Sequence, residues 1–200
     1  MVKLQSTKIK VLENATIEFA RYGARAVGVD HLCKVAGINK GSFYHYYPSK
    51  QSLIVACLNA EWDTLRDHLL APAFSPEIKP LNRIQTYFQI IADRQKAFKS
   101  AHGIYPGCLM CTLGSELGPE DEIIRERVRN YYSRNTAYLY SAFKEASDDR
   151  SVKIDPSRLA EEASLVIPAA LLQVRSIQDL KPLALANELI MRFARQPAEI

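Results

Sequence analysis

What most constrains this chain of 200 residues is the spacing of its apolar side chains. They recur at intervals of three and four along nearly the whole length, and no stretch alternates convincingly with period two. Such a pattern builds helices that pack on helices and leaves nothing from which to pair strands. The expected fold class is all-α, with about nine helices. Ile9, Leu12, Ala15, Phe19 and Ala20 share one face of a first helix, which Gly23 ends. Val29, Leu32, Cys33 and Ala36 form a short second helix stopped by Gly37. Asn39 caps a third, over roughly 40–46, which Pro48 terminates. Ser49 caps a long fourth that carries Leu53, Ala56, Cys57 and Ala60 inward.

Further along, residues 71–76 (Ala-Pro-Ala-Phe-Ser-Pro) read as a linker, and Pro80 starts a helix marked by Ile84, Phe88, Ile91 and Phe98. A loop at 102–107 leads to a short apolar helix ended at Gly118. Pro119 is expected to open a long helix, with Glu120, Asp121 and Glu122 at the positive end of its dipole. Ile124, Val128, Tyr131, Tyr138 and Ala142 line its inner face. After a polar loop at 148–153, Asp155-Pro156 starts a helix through Leu159, Ala163, Ile167, Leu171 and Val174. Pro168, inside that run, is expected to kink or break it. Pro182 starts the last helix, with Ala186, Leu189, Ile190 and Phe193 inward. No internal repeat is present.

Charge is unevenly placed. The net charge is +4, yet residues 1–50 hold eight lysines and arginines against three acids, and the remainder holds 18 against 19. A basic block on a near-neutral body is the footprint of a nucleic-acid head, although surface lysines can also cluster by chance. The first twenty residues are punctuated by charge and lack the apolar core of a secretory signal. The most apolar run, 165–172, contains Pro168 and is too short to span a bilayer, so no membrane role is expected. The expected location is the cytoplasm, where Cys33, Cys57, Cys108 and Cys111 would remain thiols.

The informative stretch is 29–53, two short helices joined by a tight turn. Gly37 gives the turn its backbone freedom and Ile38 plugs the angle between the helices. The second of these helices is poor in apolar residues. Lys40, Ser42, Tyr44, His45 and Tyr46 lie near its exposed side, a combination suited to phosphates and base edges in a major groove. Gly41 lacks a side chain where the helix would approach a sugar-phosphate strand. Lys50 places a cation and free N–H groups at the start of the fourth helix, beside a phosphate. Phe43 and Tyr47 are expected in the core. Lys3, Lys8 and Lys10 are either plain surface charge or an N-terminal arm.

The run Ala36-Gly37-Ile38-Asn39-Lys40-Gly41-Ser42-Phe43-Tyr44-His45-Tyr46-Tyr47-Pro48-Ser49-Lys50 resembles the heads of the TetR family of bacterial repressors. The resemblance is strong over about residues 5–65. It implies a helix-turn-helix DNA-binding domain at 1–48, with the start of helix four to about 65, and a ligand-binding and dimerisation domain at 49–200. It also implies a homodimer on a pseudo-palindromic double-stranded operator, with DNA contacts at Asn39, Lys40, Gly41, Ser42, Tyr44, His45, Tyr46 and Lys50. Gly28 departs from the pattern: it stands where Thr or Ser usually caps the helix and touches a phosphate. Cys33 replaces a usual Ala. The segment Gly107-Cys108-Leu109-Met110-Cys111, with Glu116-Leu117 beyond it, resembles a subgroup in which a cysteine behind the cavity senses electrophiles or oxidants. The effector so implied is a small apolar or electrophilic molecule, and no cofactor is implied. Trp62, Phe88, Ile91, Cys108, Met110, Cys111, Tyr131 and Tyr138 are candidate cavity walls, although such residues at helical spacing are commonly plain core. In this resemblance the last two helices pair with those of a second subunit. The candidates for that seam are Ala163, Ile167, Ala170, Leu171, Val174, Leu189 and Phe193, with small Ala160 and Ala169 beside them.

Other readings remain at this point. Cys108-Leu-Met-Cys111 could be a sensor at a helix N-terminus or simple packing; a thioredoxin-like pair lacks its strand context, and a zinc site lacks two further ligands. No Ser/His/Asp arrangement, metal cluster or Gly-rich phosphate loop points to an enzyme, and the four histidines are scattered at 31, 45, 68 and 102. A helical interaction protein that keeps the head without binding DNA is a further alternative. The sign of regulation, repressor or activator, depends on where an operator lies.

Overall fold

The structure is a computed structural model that describes residues 2–148 and 155–195. The order is α1 (Val2–Tyr22), α2 (Val29–Ala36), α3 (Lys40–Tyr46), α4 (Lys50–Leu65), α5 (Ala71–Ala73), α6 (Pro80–His102), α7 (Leu109–Leu117), α8 (Glu122–Asp148), α9 (Pro156–Ile177) and α10 (Lys181–Arg195). A π-helical turn, Arg66–Leu70, joins α4 to α5. With 50–73 taken as one run, the described residues hold nine helices and no strand, so the class is all-α.

Four details differ from the sequence reading. Ala15, Phe19 and Ala20 of α1 are buried as expected, but Ile9 is exposed and Leu12 half-buried, and Val11 joins the buried stripe in their place. Residues 71–73 are helical: they continue the run from α4 through the π-helical turn, with Pro72 in the first turn of α5. Pro119 lies in the turn before α8; Asp121 caps that helix, its carboxylate accepting from the N–H groups of Ile123 and Ile124 at 3.0 and 3.1 Å. The helix α9 continues through Pro168 without a break. The polar loop expected at 148–153 lies, beyond Asp148, outside the described residues.

Packing divides the chain into two compact units that do not follow chain order: Met1–Asp63 with Leu109–Arg129, and Thr64–Cys108 with Asn130–Ile200. In the first, α1 packs against both α2 and α7. Val11, Phe19, Leu32, Phe43, Leu53 and Leu58 are all buried there, each contributing about 1.5–3 kcal/mol, with Ala36 beside them. Gly114 of α7 lets α8 approach: a β-carbon there would lie 3.0 Å from both methyls of Val128. In the second unit α10 packs on α9 and α6. The Asn135 amide donates to the Tyr87 hydroxyl at 2.9 Å, giving two buried polar groups a partner. No helix among the described residues is long and apolar enough to cross a membrane.

Candidate nucleic-acid interface

The turn between α2 and α3 is set by backbone chemistry. Gly37 adopts φ 67°, ψ 39°, the left-handed region that glycine enters without strain. Its N–H and that of Ile38 close back on the carbonyls of Lys34 and Cys33 at 3.2 and 3.0 Å, ending α2 in a Schellman-type cap. Asn39 then opens α3: its side-chain oxygen accepts from the Ser42 N–H at 2.7 Å. The next cap is reciprocal. Ser49 N–H donates to Ser52 Oγ at 3.1 Å and Ser52 N–H donates to Ser49 Oγ at 3.0 Å, which starts α4 at Lys50.

These caps leave α3 anchored from below and open above. Phe43 is fully buried and Tyr47, the residue that ends the helix, is nearly so. The Tyr47 hydroxyl donates to the Lys8 carbonyl at 3.2 Å, and burial pushes its phenol up to about 12, so it stays a neutral tie between α3 and α1. Lys8, left open as arm or surface charge, lies 5.7 Å over the Tyr47 ring. The other face of α3 is the one turned outward. Lys40, Gly41, Tyr44 and His45 are exposed, and Ser42 and Tyr46 are half-buried. Tyr44 is 49% exposed, with its ring edge-on to Phe43 at 5.3 Å. Gly41 has a local role that the sequence did not suggest: a β-carbon there would meet the capping oxygen of Asn39 at 3.3 Å.

The cations are not equivalent. Lys40 pairs with Asp30 of α2 at 2.7 Å, which raises its pKa above that of an ordinary lysine. Burial lowers the pKa of half-buried Lys50, while the Glu116 carboxylate opposes that shift. Gly28 caps α2 without a side-chain bond, and the space a β-carbon would fill is empty. On α2, the His31 ring bonds the carboxylate of buried Glu18.

Sequence reasoning missed how α7 grips this head. Arg25, in the turn between α1 and α2, donates its backbone N–H to the Glu116 carboxylate at 3.1 Å. Its guanidinium donates to the Glu116 carbonyl at 3.1 and 2.7 Å and to the Glu120 carboxylate at 2.7 Å. Gly23, at φ +80°, leaves the Glu116 carboxylate its place; a β-carbon would lie 2.0 Å from it. Gln51, one residue beyond Lys50, bonds the Asp121 carboxylate. These contacts join residues 70–95 apart in sequence, and no local pattern marks them.

Residues 11–57 match the family of bacterial regulatory proteins, tetR family. The transcriptional regulator AcuR of Cereibacter sphaeroides is 34% identical over 143 residues, 70% of this chain and 63% of AcuR, so the chain spans less than two thirds of that relative. The repressor NemR of Escherichia coli K12 is 26% identical over 178 residues, 88% of this chain and 87% of NemR. A solved structure of regulatory protein TetR from Rhodobacter sphaeroides superposes with a TM-score of 0.82 at 26% identity, covering 92% of this chain and 96% of that one. The chain belongs to the TetR family. The matched segment, 11–57, runs through the whole helix-turn-helix and ends within α4.

Outside that TetR-family segment the candidates are less uniform. Of the cavity candidates, Phe88, Ile91, Met110 and Tyr131 are buried, while Trp62, Cys108, Cys111 and Tyr138 are half-buried. Cys108 directly precedes α7 and its thiol lies 3.9 Å from the Tyr131 hydroxyl. Tyr138 packs on Phe74 at 5.4 Å, and Phe74 on Tyr87 at 5.5 Å. No disulfide is formed by the four cysteines.

The seam candidates differ in their burial within the chain. Ala163, Ile167, Ala170, Leu171 and Val174 are buried inside the subunit, on α9, which packs on α10. Leu189 is half-buried, and only Phe193 of the seven is exposed. Helical periodicity finds the most regular apolar stripe, and here that stripe is spent within the chain. The large apolar residues these two helices leave in solvent are Leu165, Leu172 and Ile177 on α9, 73%, 60% and 61% exposed, and Leu185 and Phe193 on α10.

Proposed function

We propose that the protein is a dimeric, sequence-specific DNA-binding repressor that a small effector releases from its operator. The observation that carries this reading is α3: a helix held by buried Phe43 that turns Lys40, Tyr44 and His45 to solvent, with Ser42 and Tyr46 beside them. A major groove admits such a helix, and these side chains match phosphate oxygens and base edges. Asn39 and Gly41 shape its leading turn, and Lys50 supplies a cation at the start of α4. Gly28 has no side chain to offer a phosphate.

The dimer is supported by the exposed leucines of α9 and α10. Two packed helices that leave Leu165, Leu172, Leu185 and Phe193 bare suit a second copy of the same pair, as a four-helix bundle. Two heads held by that bundle read two half-sites about 34–36 Å apart, one helical turn of DNA. An apolar or electrophilic effector that binds better to a conformer with another head spacing lowers operator affinity by that preference alone. Within the second unit the candidate walls are Phe88, Ile91, Cys108, Tyr131 and Tyr138.

The test is binding of a duplex from the chain's own upstream region, followed by fluorescence anisotropy at several salt concentrations. Log K should fall linearly with log salt, and Lys50→Gln should flatten the slope by about 0.9 while weakening all duplexes alike. Ser42→Ala and His45→Ala should instead change the preferred base. Affinity that is independent of salt and sequence would end the proposal.

A further inference from the structure

Between Phe19 and Ala60 the chain carries five lysines and arginines and a single acid, Asp30. A stretch so depleted of negative charge would be expected to keep its one carboxylate away from a polyanion. It does the opposite: Asp30 of α2 sits 2.7 Å from the ammonium of Lys40, the first residue of α3. Lys40 is the only lysine or arginine on that helix. The pair is open to water, with Asp30 78% and Lys40 59% exposed, so it adds little to stability and is easily broken.

The geometry points to Asp30 as a specificity-determining residue, one that withholds the charge of Lys40 from DNA until α3 is seated. This rests on the proposed operator binding. Non-specific affinity is almost wholly electrostatic. A loosely placed head then meets a cation already neutralised, with a carboxylate beside it that repels the phosphate. On an operator, base contacts from α3 hold the helix close, and Lys40 exchanges Asp30 for a phosphate at bonding distance. The same carboxylate therefore costs the non-specific complex a larger share of its affinity than it costs the specific one. Nearby groups do not substitute for it: Glu18, the next acid toward the N-terminus, is buried and bonded to His31.

The test is Asp30→Asn in the full chain, which keeps size and hydrogen bonding and removes only the charge. Affinity for a random duplex at low salt should rise about threefold or more, with the salt slope steeper by about 0.9, one further phosphate. Operator affinity should rise less, so the ratio of specific to non-specific affinity falls. In a Lys40→Gln background the same substitution should leave the slope unchanged. An equal gain on both duplexes would overturn the inference. So would an unchanged slope, or a loss on both with a lower melting temperature, which would mark Asp30 as a brace between α2 and α3. A parent protein that binds no duplex better than random would instead refute the operator reading itself.

Discussion

The helix α3 and the pair α9–α10 both leave large side chains in water, but of different kinds. On α3 the exposed groups are Lys40, Tyr44 and His45, each with a polar tip that water satisfies, above a single buried anchor, Phe43. On α9 and α10 they include Leu165, Leu172 and Leu185, which water does not satisfy, above a full buried stripe of their own. Under the proposed function each face takes a partner. The first suits a wet, charged partner whose contacts are hydrogen bonds and phosphates, the second a dry one that removes apolar area.

Removing the anchor beneath the polar face should do the most harm. Phe43→Ala deletes a fully buried ring and should cost about 3–5 kcal/mol, read as a large drop in thermal melting, with DNA binding lost alongside. If melting barely changes, α3 is not held from below as described. Next in size is the dry face. Leu172→Asp should convert dimer to monomer at micromolar concentration in sedimentation, an interface loss of about 2 kcal/mol or more. A dimer that survives both Leu172→Asp and Leu165→Asp places the seam elsewhere.

Smaller changes sharpen the contrast at the edges of α3. Asn39→Ala removes the oxygen that caps the helix and should lower stability by about 1 kcal/mol in denaturant unfolding. Gly28→Ser should move the same measurement the other way by a few tenths of a kcal/mol. Its side chain enters empty space at a cap position and can accept the bond that α2 lacks. A loss of stability there would mean the N-terminus of α2 is constrained by something other than its cap.

The head was legible because its signals are local. Gly37, Asn39, Pro48 and Ser49 each act on the backbone within a few residues, so the turn, the caps and the limits of α3 follow from the chain itself. Helix number was legible for the same reason. What was not legible depends on which helix meets which. Periodicity marks Ala163, Ile167, Leu171 and Val174 as one face of α9, but only packing tells whether that face meets α10 of its own chain or another subunit. The grip of Glu116 on Arg25 and the pairing of Asp30 with Lys40 join residues that no short-range rule connects.

In the proposed complex two copies of α3 lie against one duplex at once. Hydroxyl-radical footprinting of the bound upstream duplex tests it most directly. Two protected patches are expected on one face of the DNA, related by a two-fold axis and about 34–36 Å apart or a multiple of that. A single patch, or uniform protection that ignores sequence, would contradict it.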